Sequence, residues 1–446
     1  MSQFNRRRFL ARSSMLGALG WSASGWLPLL ADQVAAQAKQ RRHCILLWMN
    51  GGPSQTDTFD MKPGHKNGGT FKEIETDAPG LRFSEHLPGL AKHGKHIAVV
   101  RSLSTKEGDH GRGTYLMRTG QRLGGPLRYP AIGASLSKEL GDPADAFPNY
   151  VSVAPYRAVN QEAFGPGFLG PRHAPLTVAS YNRFRSTDND DDEAEYADLR
   201  VNDLQAPLDL DASTIRTRLE LWQSLQDDFL TRKGRVGAAR AQNTVYERAL
   251  RMMESSAARA FDLSEESDTV RDAYGRGQFG QGCLMARRLV EQGIAFVEVS
   301  LGAFGGGRTW DTHTANFPTV KTLSEELDAG WSTLMTELEE RGLLESTTIL
   351  WMGEFGRTPG INGNSGRDHF PAAWSCVFAG GGIRGGQAYG KTTDDGMKVD
   401  DGKVDVGDIL ATLAQSLGVE PDTENITEIG RPIKIADGSP IKDLLT

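Results

Sequence analysis

The chain has only three cysteines, Cys44, Cys283 and Cys376, and no CxxC or CxxCH spacing. Each sits in an apolar run, so they read as buried core thiols rather than as a disulfide framework or metal ligands. Long hydrophobic runs are missing too. The apolar stretch from Met15 to Ala31 is broken by Gly, Ser and Pro and falls short of the ~20 residues a spanning helix needs. Beyond the N-terminus no basic stripe occurs, and a net charge of −7 with 24% charged residues is ordinary for a soluble protein. No nucleic-acid partner is expected. No internal repeat is evident.

What is present begins at the N-terminus. Asn5-Arg6-Arg7-Arg8-Phe9-Leu10, the weakly apolar stretch to Ala31 and Ala36-Gln37-Ala38 read as a twin-arginine export signal with a small-residue cleavage site. Cleavage is expected after Ala38, which makes residues 1–38 a leader. The mature protein is then periplasmic or extracellular, with membrane contact only during export. That route carries folded proteins, and a chain that acquires a metal before leaving the cytoplasm suits it. About 408 residues remain, enough for one large α/β domain with insertions or for two domains.

Apolar runs bounded by Gly and Pro predict strands at Cys44 to Met49, His96 to Val100, Tyr150 to Val153, Ile294 to Ser300, Thr348 to Met352 and Trp374 to Ala379. Helical spacing of apolar residues marks Gln278 to Gln292, Val320 to Arg341 and Val406 to Leu417. Strand and helix alternate, so the expected fold is α/β, with a mostly parallel central sheet and helices on both faces. Residues 39–446 are expected to form this domain, interrupted at about 161–262 by a loop-rich and helical insertion. The acidic run Asp188 to Glu193 lacks the Gly and terminal Glu of an EF-hand loop and reads as a solvated loop.

Chemistry-bearing residues gather after the strands. Trp310-Asp311-Thr312-His313 follows one, and Gly353-Glu354-Phe355-Gly356-Arg357-Thr358-Pro359 follows the next, with Gly366-Arg367-Asp368-His369-Phe370 close behind. Asp311 and His313, two apart in extended chain, point the same way and can close on one ion. Carboxylate and imidazole at neighbouring strand ends make the mixed ligand set that suits zinc, manganese or iron. The competing readings are an Asp–His hydrogen bond in a polar turn and a Glu354–Arg357 pair. After the first strand comes Asn50-Gly51-Gly52-Pro53-Ser54-Gln55-Thr56-Asp57-Thr58-Phe59-Asp60. Its two glycines let backbone approach a ligand, and Asp57 and Asp60 serve either the site or a tight turn. Gly108-Asp109-His110-Gly111-Arg112 opens a short helix that closes at Thr119-Gly120, and its N-terminus, with Arg112, attracts anions. The helix start is expected to meet the strand ends at the carboxyl edge of the sheet, which puts His110 in one pocket with His313 and Glu354.

In this order, the phrases Gly51-Gly52-Pro53-Ser54, His110-Gly111-Arg112-Gly113-Thr114, Trp310-Asp311-Thr312-His313 and Gly353-Glu354-Phe355-Gly356-Arg357-Thr358-Pro359 resemble the alkaline phosphatase and sulfatase superfamily. From about Arg41 to Thr446 the chain resembles its exported branch called domain of unknown function 1501. The resemblance implies an alkaline phosphatase-like fold and hydrolysis of a phosphate or sulfate ester, small-molecule or polysaccharide. It implies a divalent metal, zinc, manganese or calcium, held by Asp311, His313, Glu354 and His369, with Asn50 and Asp57 completing a second, poorer site. Arg112 and Arg357 would hold the anion. His110 falls where sulfatases place the cysteine that becomes formylglycine, and no Cys, Ser or Thr stands there. That departure leaves His110 as an acid, a base or a ligand, and leaves a non-catalytic partner of other exported proteins as the alternative.

Overall fold

The computed structural model of the chain describes residues 41–142, 145, 147–180, 195–202, 211–233, 245–247, 249–252, 256–303 and 307–446. The expected leader and the acidic run Asp188 to Glu193 lie outside them. The described residues place nine strands in one sheet: His43–Met49 (β1), Ile97–Leu103 (β2), Tyr150–Val153 (β3), Leu176–Ser180 (β4), Leu199–Arg200 (β5), Phe296–Leu301 (β6), Thr347–Gly353 (β7), Trp374–Gly380 (β8) and Gln387–Tyr389 (β9). Their order is β9-β2-β8-β7-β1-β6-β3-β4-β5.

A strand apolar on both sides must be covered on both sides, and β1 is such a strand. Ile45, Leu47 and Met49 enter one core with Cys283, Leu284, Leu327 and Trp331, from helices Gln278–Glu291 and Asn316–Glu340. Cys44, Leu46 and Trp48 enter the other core with Leu116, Met117, Ile409 and Leu413, from helices His110–Thr119 and Val406–Ser416. All three cysteines are buried and unbridged.

The parallel core of the sheet runs β7, β1, β6, β3, β4. β8 is antiparallel to both of its neighbours, β7 and β2. That reversal matters for the site. A parallel neighbour would need a crossover back to the opposite edge, whereas β8 starts at the edge where β7 ends, so the connection between them stays there. The last two strands on one side of the sheet, β4 and β5, come from within the stretch expected as an insertion. β4 pairs in parallel with β3, so this stretch widens the sheet.

Helix His110–Thr119 is fixed at three points. Asp109 caps its N-terminus by accepting from the Arg112 nitrogen, and Gly120 ends it in the left-handed region at φ 70°. Inside, the Arg118 guanidinium donates to Glu298 of β6, and Tyr150 of β3 donates to the same carboxylate at 2.8 Å. Burial and the ion pair together hold the helix start at the sheet edge.

Candidate metal centre

β1, β6 and β7 end level with one another, Met49 pairing with Leu301 on one side and Gly353 on the other. The segment carrying Asp311 is stitched onto this edge: Trp310 N and Thr309 Oγ1 donate to the Asn50 carbonyl at 3.0 and 2.8 Å. The approach requires glycine at position 51. Its φ is +107°, and a Cβ there would sit 2.4 Å from the Asp311 nitrogen. The glycines after β1 therefore admit a neighbouring chain segment rather than a ligand. A short antiparallel pairing then sets His369 opposite Arg357.

Three imidazoles converge on one carboxylate. His313 Nε2 and His369 Nε2 lie 3.1 and 3.2 Å from Asp311 Oδ1, and His110 Nε2 lies 3.4 Å from Asp311 Oδ2. The expectation that the helix start shares the pocket of the strand ends is met. On each ring the other nitrogen faces an acceptor: His110 Nδ1 faces Glu354 Oε1, His313 Nδ1 faces Asp368 Oδ1 and His369 Nδ1 faces the Gly108 carbonyl, all at 2.7 Å. A neutral imidazole that donates from Nδ1 carries a lone pair on Nε2. The Nε2 atoms of His313 and His369 stand 3.0 Å apart. With both Nδ1 atoms donating, those Nε2 lone pairs would face each other and Asp311, an arrangement that a cation between them would relieve. A tetrahedral ion with bonds of about 2.0 Å sets its ligands about 3.3 Å apart, close to the spacing found here. Metal-binding histidines characteristically donate their second N–H to a carboxylate or carbonyl, and each of the three rings has such an acceptor at Nδ1. His110, Asp311 and His369 form a group of ligand atoms all within 4.8 Å of one another.

The charges are set by the same contacts. Burial raises the Asp311 carboxyl, but hydrogen bonds from His110, His369 and Arg357 overcome it and hold the group well below the ordinary range. Burial lowers His110, and hydrogen bonds to Asp311 and Glu354 outweigh it, pushing the imidazole up to about 9. The cluster therefore keeps positive charge against Asp311 when no metal supplies it.

The remaining expected site residues are placed differently. Glu354 is 2% exposed and reaches the cluster through His110; its Oε1 also accepts from the Gly51 nitrogen at 2.9 Å, and its Oε2 is buried without a hydrogen-bond partner. Asn50, expected as a ligand, is engaged within the fold: its Oδ1 accepts from the Trp48 indole at 2.9 Å and its Nδ2 donates to the Gly302 carbonyl at 2.7 Å. Asp57, also expected as a ligand, is enclosed by Arg367, Ser54 and Asn316. Arg112 points outward to Glu107 at 2.9 Å. Arg357 lies in the cluster, yet its guanidinium donates to the carbonyls of Gly51, Gly52 and Arg367 and to Asp311, so it braces the site and has little left for an anion. Sequence reading missed Asp368 and the Gly108 carbonyl as the groups that orient His313 and His369. Only the adjacency of Asp368 to His369 pointed to the first, and a backbone carbonyl leaves no sequence signal. The open side is at His313 and Asp368, whose side chains are 45% and 53% exposed.

A family model described as "Protein of unknown function (DUF1501)" matches residues 41–445. Among solved structures, the chain is similar to a sulfatase from Pseudoalteromonas sp. at 12% identity, covering 87% of this chain and 72% of that chain with a TM-score of 0.40. It is also similar to a phosphonate monoester hydrolase from Silicibacter pomeroyi at 12% identity, covering 90% and 76% with a TM-score of 0.39. A third similar structure is the lipoteichoic acid synthase LtaP from Listeria monocytogenes, at 9% identity, 91% and 80% coverage and a TM-score of 0.39. No curated protein matches the chain.

Proposed function

The chain belongs to the DUF1501 family, and from that premise we propose that it is an exported, metal-dependent hydrolase of phosphate or sulfate esters. One observation carries the reading: three imidazole Nε2 atoms lie 3.1 to 3.4 Å from the Asp311 carboxylate, each ring oriented by an acceptor at its other nitrogen. His110, His313, His369 and Asp311 would hold a divalent ion. Such an ion supplies positive charge against a developing oxyanion and acidifies water.

The chain's own residues supply the frame. Glu354, Asp368 and the Gly108 carbonyl fix the three rings, which keeps their Nε2 lone pairs turned inward. Arg357 ties the Asp311 carboxylate to the backbone turn at Gly51 and Gly52. The open side at His313 and Asp368 is where an ester would approach a bound ion. The alternative, a non-catalytic partner of exported proteins, draws support from Arg112 and Arg357, since neither has a guanidinium free to clamp an anion.

Metal-loaded protein is expected to turn over an aryl phosphate or an aryl sulfate. Because losing the groups that merely orient ligands costs 10- to 100-fold, His369→Ala should cost more than about 100-fold. Full metal occupancy with no turnover of either ester, across a panel of zinc, manganese and calcium, would favour the partner reading. Export rests on the leader. Replacing Arg6 and Arg7 by Lys is expected to retain the protein in the cytoplasm, because the arginine pair is read by a receptor. Unchanged export would point to the general secretory route.

A further inference from the structure

A second feature lies beside the metal cluster and takes no part in it. A cleft of about 810 Å³ is lined by Lys106, Arg122, Lys398 and Lys403 around an apolar floor that includes Leu116 and Met397. The protein as a whole is acidic, at −7. Among the described residues none of these four side chains makes an ion pair or hydrogen bond. Two acids also line the cleft, Asp405 and Asp437. Asp405 is engaged in capping, accepting from the nitrogens of Gly407 and Asp408 at 2.8 and 3.3 Å. The four cations outnumber the two acids, so the cleft is a concave surface of net positive charge.

Its position ties it to the cluster. Ala372 and Thr105 are in its wall, and the Thr105 nitrogen donates to the Pro371 carbonyl at 2.8 Å. From there one strand of chain leads three residues back to His369, and the other leads three residues on to Gly108, whose carbonyl orients His369. Three residues span at most about 10 Å. The cleft wall thus lies within about 10 Å of the backbone at His369 and Gly108.

We infer that the cleft is a binding subsite for a polyanionic oligomer, a chain bearing repeated sulfate or phosphate groups, and that it presents one ester of that chain to the metal cluster. The second half rests on the hydrolase reading; the binding itself does not. Free inorganic anion has only one contact to offer, whereas a chain spans several of the four cations, so length should raise affinity.

The test uses the full metal-loaded protein and a short fluorescent dextran sulfate, with uncharged dextran of equal length as the blank and a polyphosphate of similar length to separate sulfate from phosphate. Lys398→Gln/Lys403→Gln is compared with Lys95→Gln/Lys321→Gln, whose ammoniums lie 3.8 Å from Glu339 and Glu325 on the opposite face of the sheet. The cleft pair is expected to weaken binding of at least one polyanion by about fivefold or more, since each exposed ion pair is worth up to about a factor of five, and binding should fall as salt rises. The control pair should bind as the unaltered protein does, with equal melting temperatures throughout. Equal losses in both pairs, or none in the cleft pair, would overturn the proposal. So would tighter binding to phosphatidylglycerol vesicles than to either oligomer, because the cleft would then face a membrane. Retained cleft-dependent binding in a protein that turns over no ester would remove the hydrolase reading and leave the subsite standing.

Discussion

Asp311→Ala is expected to give a folded protein that retains no divalent metal and gains no thermal stability when metal is added. Asp311 is the carboxylate against which all three Nε2 atoms lie, and its carboxyl is held ionised far into acid. Without it, three imidazoles remain around a site with no anionic donor, and Arg357, now lacking its carboxylate, leaves positive charge at the edge. Both changes disfavour a cation. An ion bound only by the native state adds about 4 kcal/mol at 1,000 times its Kd, so the variant should lose an increment of that size measured against metal-saturated protein. Metal content by mass spectrometry after chelation and reloading, beside melting curves, gives the answer. Retention of one equivalent of metal by Asp311→Ala would place the ion elsewhere.

Asp57→Ala has the opposite signature: a large loss of fold stability with the metal stoichiometry of the folded fraction unchanged. Asp57 and Arg367 are both 0% exposed. The carboxylate accepts from Arg367 Nε and Nη2 at 2.7 and 2.9 Å, from Ser54 Oγ at 2.6 Å and from Asn316 Nδ2 at 2.8 Å. Removing it strands a buried guanidinium, and breaking a buried pair from one side costs about 3–5 kcal/mol. Denaturant unfolding would read the loss directly. A change under about 1 kcal/mol would contradict the enclosure of this pair. A stable variant that lost metal would restore Asp57 to the ligand set.

The strands that carry the site were legible because their apolar runs are continuous: β1, β6, β7 and β8 fall within two residues of the spans read from sequence. The clustering of His110, Asp311, His313, Glu354 and His369 was legible for a related reason, since side chains that follow parallel strands share an edge. What the sequence could not show is which distant group claims each polar atom. Asn50 sits at the strand end where a ligand is expected, but its amide is held by the Trp48 indole and by Gly302, 252 residues away. Asp57 was opaque in the same way, its partner Arg367 lying 310 residues along the chain. The roles of His110 and Glu354 depended on a single contact between helix and strand end, at 2.7 Å. That contact makes the imidazole the donor to the site and the carboxylate its support. The outlying strands β4 and β5 were hidden because short, partly exposed strands lack the continuous apolar run of a buried one.

The central claim is that three histidines and Asp311 hold one ion. Crystals of the full chain reconstituted with zinc, measured at the zinc absorption edge, test it most directly. The account predicts one strong anomalous peak about 2.0–2.2 Å from a carboxylate oxygen of Asp311 and from the Nε2 atoms of the histidines at positions 110, 313 and 369. A peak at Asn50 or Asp57 instead, or no peak in well-ordered crystals grown with excess zinc, would contradict it.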